Sequence, residues 1–330
     1  MKLSILDQAP VSSGASEAEA LKNMERGAIL ADELGYERFW IAEHHNAPGV
    51  VSSAPEIAMA YLAGKTSRIR LGSGGTMIMH YSPYKMAEVF KTLSAFAPGR
   101  IDFGGGRAPG GDNFAIYALS EGREPMLHNM YDKFTNVLKF MNDEAISDPV
   151  YSRVKAHPTG IQLPEAWMLG STGNSAIEAA RMGVGYSYVH FFNGMLDKDV
   201  IAAYRNNFKP SAYLDKPKVI VSYFVTVAET REEALFQSKP ADIGRLQLYK
   251  GNPGPRLSPE EARDYVLTAQ EQDFMKQQSS WHIKGSIEEV ADFLTQQQYY
   301  YGFDEVMLCT IPHSIEFKLQ EYRMLAKALM

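Results

Sequence analysis

Short runs of β-branched and aromatic residues alternate along the chain with longer stretches whose apolar residues recur every three or four positions. Runs of the first kind build strands and the longer period builds amphipathic helices, so the alternation predicts a succession of parallel βα units. Eight strands are predicted, over 3–7, 38–42, 69–73, 101–104, 167–170, 186–189, 219–227 and 305–310. The first helix is the best punctuated: Ser16 with Glu19 reads as a capping box, Leu21, Met24, Ala28, Ala31 and Leu34 share one face, and Gly35 can end it. Ser82-Pro83 opens a helix that Pro98-Gly99 closes, Gly183 ends the one beginning near Ser175, and Ser286 with Glu289 repeats the capping box.

Eight βα units can wind an open sheet or close a barrel. The open, doubly wound fold carries a glycine fingerprint between its first strand and helix. Here that turn reads Gln8-Ala9-Pro10-Val11-Ser12-Ser13-Gly14-Ala15, which is no such fingerprint, so the expectation is a (β/α)8 TIM barrel. About 250 residues suffice for a plain barrel, and the chain has 330, so residues 1–330 are read as one barrel domain with insertions near 143–163 and 239–283. The second contains Gly251-Asn252-Pro253-Gly254-Pro255-Arg256, which suits neither helix nor strand, and is expected to be a lid or substrate loop at the barrel mouth, with a surface ornament as the plainer alternative.

A formal net charge of -6 provides no broad positive field, so neither nucleic acid nor an anionic membrane surface is an expected partner. No uninterrupted apolar run reaches the length of a membrane span. The opening residues carry no export signal, and the lone cysteine, Cys309, can form no internal disulfide, so a cytoplasmic location is expected. Cys309 lies in a strand-like run and is read as a small buried hydrophobe.

Four segments follow predicted strands two to five, where a parallel barrel presents its reacting groups. The first is Ala42-Glu43-His44-His45. Neighbouring strand residues point to opposite sides, so the two histidines cannot chelate one metal together, and no further ligand spacing appears; no metal site is expected. Taken singly, His44 reads as a satisfied structural histidine ahead of a functional one. The second, Gly72-Ser73-Gly74-Gly75-Thr76, lacks side chains where a flat ligand could lie against the backbone, or is an ordinary tight turn. The third, Gly104-Gly105-Gly106-Arg107-Ala108-Pro109-Gly110-Gly111, offers one cation to an anion or an electron-rich ring, or to solvent. The fourth, Gly170-Ser171-Thr172-Gly173-Asn174-Ser175, gathers hydroxyls and unpaired backbone N–H groups at a helix start, a phosphate site beyond what capping requires.

In this order the four segments resemble the bacterial luciferase-like flavin monooxygenases, and the resemblance spans nearly the whole chain. Ser53-Ala54-Pro55-Glu56 and Pro98-Gly99-Arg100-Ile101-Asp102 add to it, and point to the simple single-chain members. The resemblance implies a (β/α)8 barrel holding FMN at the strand C-termini, with the isoalloxazine beside Gly74-Gly75, where the family often has a non-prolyl cis peptide. It implies Arg107 near the flavin or its phosphate, Thr172 and Ser175 on the phosphate with Gly170 and Ser171 beside them, and His44 next to the reacting ring. The implied chemistry is oxygen activation by reduced FMN through a 4a-hydroperoxide that oxidises an aldehyde or other small organic substrate. His44 would manage the peroxide proton, since imidazole is matched to neutral pH. A separate NAD(P)H-dependent flavin reductase and a homodimer, with Met86, Glu88 and Val89 at its interface, are further implications. The luciferase catalytic subunit has a cysteine where this chain has Gly106 and a tryptophan where His190 aligns, which makes light emission with a long-chain aldehyde doubtful. His190, Phe191 and Tyr223, near predicted strand ends six and seven, are the candidate substrate contacts, with core packing the alternative for Tyr223. Two other functions share the scaffold: hydride transfer with a deazaflavin cofactor, and non-catalytic flavin binding.

Overall fold

The computed structural model describes residues 1–123 and 129–330. Among the described residues nine parallel strands are present: β1 (Lys2–Asp7), β2 (Arg38–Ile41), β3 (Arg70–Ser73), β4 (Ile101–Gly105), β5 (Glu165–Gly170), β6 (Gly185–Val189), β7 (Val219–Ala228), β8 (His282–Ser286) and β9 (Glu305–Cys309). Eight of them close a ring in the order β1-β2-β3-β4-β5-β6-β7-β9, with β9 pairing back onto β1. The expected (β/α)8 barrel is therefore the observed fold, and each predicted strand coincides with a ring strand to within a residue or two.

The ninth strand was not anticipated. Phe224 is paired with both Cys309 and His282, so β8 takes the edge of β7 that β6 leaves after Ser222. His282 is held there by Asp242 at 2.8 Å and by the Thr226 hydroxyl at 2.9 Å, all three buried. Its sequence, His-Ile-Lys-Gly-Ser, alternates too briefly to be told from a loop.

Helices α1 (Glu17–Leu34), α2 (Pro55–Ala63) and α3 (Pro83–Phe96) follow the first three strands, and α4 (Asn113–Leu119) and α5 (Met130–Met141) follow β4. Helices α6 (Gly173–Met182) and α7 (Lys198–Asn207) come after β5 and β6, and α8 (Arg231–Tyr249), α9 (Pro259–Arg263), α10 (Ala269–Gln277), α11 (Ile287–Tyr301) and α12 (Ile315–Leu329) complete the chain. The Ser16 and Ser286 capping boxes form as predicted, and Gly35 and Gly183 end α1 and α6 in the left-handed region that suits glycine.

Alternation along the strands divides the apolar residues into two sets. Leu3, Ile5, Phe39, Ile41, Val219, Val221 and Tyr223 face the helices, whereas Leu6, Trp40, Ala42, Trp167, Ile220 and Met307 fill the barrel. Glycines make the interior fit. A Cβ on Gly185 would stand 2.2 Å from the Trp167 ring, and one on Gly72 would stand 2.5 Å from the Trp40 ring, so each indole occupies the space its neighbour strand leaves. Toward the strand N-termini a buried ion cluster completes the plug. Arg38 donates to Glu305 at 2.7 and 3.0 Å and to Asp102 at 2.7 Å, and its guanidinium lies 4.8 Å from the Trp167 ring centre. Trp40 Nε1 donates to the same Asp102 at 2.8 Å, so every charge in the cluster is paired.

Half of the segment expected to be a loop, 239–283, is helical. Helix α8 runs through Pro240 to Tyr249, and only 250–258 is irregular before α9 and α10. That irregular stretch is stitched to the first strand–helix loop: Arg256 N–H donates to Val11 O at 2.6 Å, and Ser13 N–H donates to Arg256 O at 2.7 Å. Arg245 of α8 reaches the carbonyls of Phe191 and Phe192, at 3.2 and 3.3 Å, and packs 4.3 Å from the Trp281 ring centre. The segment thus braces the wall of the barrel mouth. Among the described residues no helix is long and apolar enough to cross a membrane.

Candidate active site

A cavity of about 630 Å³ opens at the C-terminal ends of the strands. His44, Gly74, Gly75, Arg107, Gly170, Ser171, Thr172 and Ser175, drawn from four separate strand ends, all line it. Phe191 does so as well. Thr76, His190 and Tyr223 do not appear on its wall. The Thr76 hydroxyl instead donates to Ser73 Oγ at 2.9 Å, and its N–H donates to Gly104 O, fixing the turn from within. Tyr223 fails for a reason of parity. Ser222 and Phe224 face the barrel interior, so Tyr223 faces the helix layer, where its ring packs against His190 at 4.6 Å between centroids. Both side chains lie off the cavity wall.

The wall near β2 and β3 carries no side chain at Gly74 and Gly75. A Cβ on Gly74 would lie 2.6 Å from Leu6 Cδ1 and 3.1 Å from Trp40, and one on Gly75 would lie 3.1 Å from Leu169 Cδ2 and 3.2 Å from Gly104 O. The Gly74-Gly75 peptide is cis. Glu43, buried beneath this turn, accepts from Met77 N–H at 2.9 Å and from the Tyr81 hydroxyl at 2.6 Å, and pairs with His45 at 2.8 Å. His45 N–H in turn donates to Gly110 O at 2.7 Å, so one carboxylate ties three cavity loops together. The adjacency of Glu43 and His45 to the histidine of interest was legible; their part in holding the loops was not.

His44 has no hydrogen-bond partner for either ring nitrogen among the described residues, and Nδ1 is buried. Burial pushes its pKa down to about 4, against the opposite pull of the Glu43 carboxylate. The imidazole is therefore neutral at physiological pH, with one donor and one acceptor nitrogen.

At the far end, α6 begins with a reciprocal cap in which Thr172 and Ser175 satisfy one another's backbone N–H. Ser175 Oγ also donates to Thr172 O at 2.8 Å and lies 3.0 Å from the Tyr186 hydroxyl. These hydroxyls shape the helix start, and both residues line the cavity. The free donors are the N–H groups of Gly173 and Asn174 and the hydroxyl of Ser171, which have no partner among the described residues. Gly170 is required beside them, since a Cβ there would stand 2.3 Å from Ser175 Oγ. Arg107 is exposed and makes no hydrogen bond or ion pair among the described residues.

The sequence reading missed the floor of the cavity: Leu6, Gln8, Ser187, Ser222 and Met307 all reach it. Their signal was the inward parity of alternate strand positions, which becomes visible only once the ring is closed and one residue's direction is known. Among the described residues no group of His, Cys, Asp and Glu is placed to hold a metal ion.

Comparison with known proteins fits this architecture. The family model for luciferase-like monooxygenases matches residues 1–304. The N-acetyl-S-alkylcysteine monooxygenase of Bacillus subtilis (strain 168) is 34% identical over 334 residues, covering 100% of this chain and 98% of the relative. A luciferase-like monooxygenase of Escherichia coli (strain K12) is 34% identical over 306 residues, covering 92% of this chain and 90% of the relative. The crystal structure of apo-MsnO8 is 33% identical, covers 99% of this chain and 98% of its own, and superposes with a TM-score of 0.91. With relatives alike over nearly their whole length and a family match over residues 1–304, this chain belongs to the luciferase-like monooxygenase family.

Proposed function

We propose that this chain is an FMN-dependent monooxygenase that binds reduced flavin and O2 in the cavity and oxidises a small organic substrate. The observation that carries this reading is the fit between the cavity and a flat guest with a phosphate tail. A wall without side chains at Gly74 and Gly75 suits a planar ring, and unpaired N–H groups at the start of α6 suit a phosphate. The family membership and the resemblance of the four strand-end segments support the same cofactor.

In this reading Gly173, Asn174 and Ser171 hold the phosphate, while Thr172, Ser175 and Gly170 keep that helix start in shape. Arg107 adds a cation at the cavity edge. Glu43 keeps the Gly74-Gly75-Thr76 turn against the ring through Met77 N–H. When bound, reduced flavin supplies the electrons that activate O2. His44 offers a donor and an acceptor nitrogen to the reacting region. A pKa near 4 makes it a hydrogen-bonding group that passes a proton without resting as a cation, a narrower role than the sequence implied. The 239–283 segment serves as a fixed brace for the mouth, held by the Arg256 and Arg245 contacts. Reduced flavin reaches the protein from a separate NAD(P)H-dependent reductase.

The test is anaerobic titration with reduced FMN followed by mixing with oxygen. Saturable binding and a course of flavin reoxidation different from that of free FMN are expected, with His44→Ala changing the course but keeping the binding. Failure to bind reduced FMN, or reoxidation indistinguishable from free flavin, overturns the proposal. Small aldehydes and thioethers form the first substrate panel, the latter prompted by the N-acetyl-S-alkylcysteine monooxygenase relative.

A further inference from the structure

Two hydroxyls on the cavity floor have no role in the fold. Ser187 of β6 and Ser222 of β7 are 0% and 2% exposed, and both line the cavity. Ser187 Oγ is fully buried without a hydrogen-bond partner, and Ser222 Oγ has none among the described residues. They stand on adjoining strands one inward step apart, since Ser187 pairs with Ile220 and Val189 pairs with Ser222. Apart from Gln8, the other residues named on this floor are apolar: Leu6, Trp40, Val189 and Met307. Alanine would fill the same backbone positions without a desolvated hydroxyl, and burying a hydroxyl unpaired is unfavourable. The strands therefore keep two polar groups that no other described residue satisfies.

A serine hydroxyl both donates and accepts, so two of them on adjoining strands, one inward step apart, match a ligand edge that presents both a donor and an acceptor. Resting on the flavin reading above, we infer that Ser187 and Ser222 form a recognition subsite for a carbonyl/N–H edge, the imide of a flavin ring or the amide of a substrate. A hydrocarbon would leave both hydroxyls unpaired.

The test uses the full chain and the variants Ser187→Ala, Ser222→Ala and the double variant, with the single variants as fallback should the double one not fold. Each is titrated with FMN and with FMN methylated at the imide nitrogen. The FMN-loaded protein is then titrated with N-methylacetamide, read by the absorbance of the bound flavin. If the edge belongs to the flavin, FMN binds the double variant about tenfold more weakly, while the methylated analogue binds both proteins alike. If it belongs to a substrate, FMN affinity is kept and N-methylacetamide binding falls by about tenfold. Either result, with the unliganded melting temperature unchanged or raised, supports the subsite. Unchanged affinity for both FMN and N-methylacetamide overturns it, whatever the melting temperature does. A wild-type protein that takes up no FMN overturns this inference together with the function it rests on, and the wild-type arm alone reveals that case.

Discussion

Replacing Arg107 by alanine separates what the cavity needs for its guest from what the protein needs for its fold. The side chain is exposed, lines the cavity edge and is bonded to no other described residue. Its loss should therefore alter stability by no more than about 0.5 kcal/mol, the ordinary range for such surface positions. A charge-assisted hydrogen bond to a phosphate contributes about 1.5–3 kcal/mol. Solvent access at the cavity edge places this one toward the lower figure, which weakens FMN binding by about tenfold. Riboflavin has the same ring system and no phosphate, so its affinity for wild type and Arg107→Ala should agree. The assay is quenching of flavin fluorescence on titration with protein, at low and at high ionic strength. The FMN difference should shrink as salt rises, and Arg107→Lys should fall between the two, keeping charge and losing the planar fork. If Arg107→Ala binds FMN as wild type does, or loses riboflavin as much as FMN, the pairing of this cation with a phosphate is refuted.

Three further outcomes test other parts of the site. Gly170→Ala drives a Cβ to within 2.3 Å of Ser175 Oγ, so it should lower stability by about 1–3 kcal/mol and weaken FMN more than riboflavin, read by thermal melting and the same titration. Glu43→Gln removes the ionised acceptor shared by Met77 N–H, the Tyr81 hydroxyl and His45, and should cost about 2 kcal/mol in chemical denaturation, with Tyr81→Phe costing less. His44 and His190, both pushed down to about 4 by burial, should make the protein acid-sensitive. The unfolded chain takes up these protons near pH 6.5 and the folded chain only near pH 4, so stability falls as pH drops through that window and the loss is complete below it. About 3 kcal/mol is at stake per histidine. Denaturation midpoints across that range should flatten in His190→Phe, and an unaltered slope would contradict the assignment.

The ring was legible because its strands are marked by β-branched runs and its helices by caps such as Ser16/Glu19, features set by neighbours in sequence. β8 was not, since His282–Ser286 owes its strand form to the edge that Phe224–Ala228 exposes, a partner about sixty residues away in the chain. The same distinction runs through the site. Gly74, Arg107 and Gly170 could be picked out because glycine and an isolated cation after a strand are unusual locally. Ser187 and Ser222 could not, because a serine inside an apolar strand reads as neutral until the closed ring shows which way it points. The direction of Tyr223, which the packing alternative anticipates, likewise becomes visible only from an inward neighbour such as Ser222.

The plug of Trp40, Trp167 and the Arg38 ion cluster has a consequence for traffic. With the strand N-terminal end filled, a guest approaches the cavity floor from the strand C-terminal side, past the loops that carry Gly74, Arg107 and Ser171.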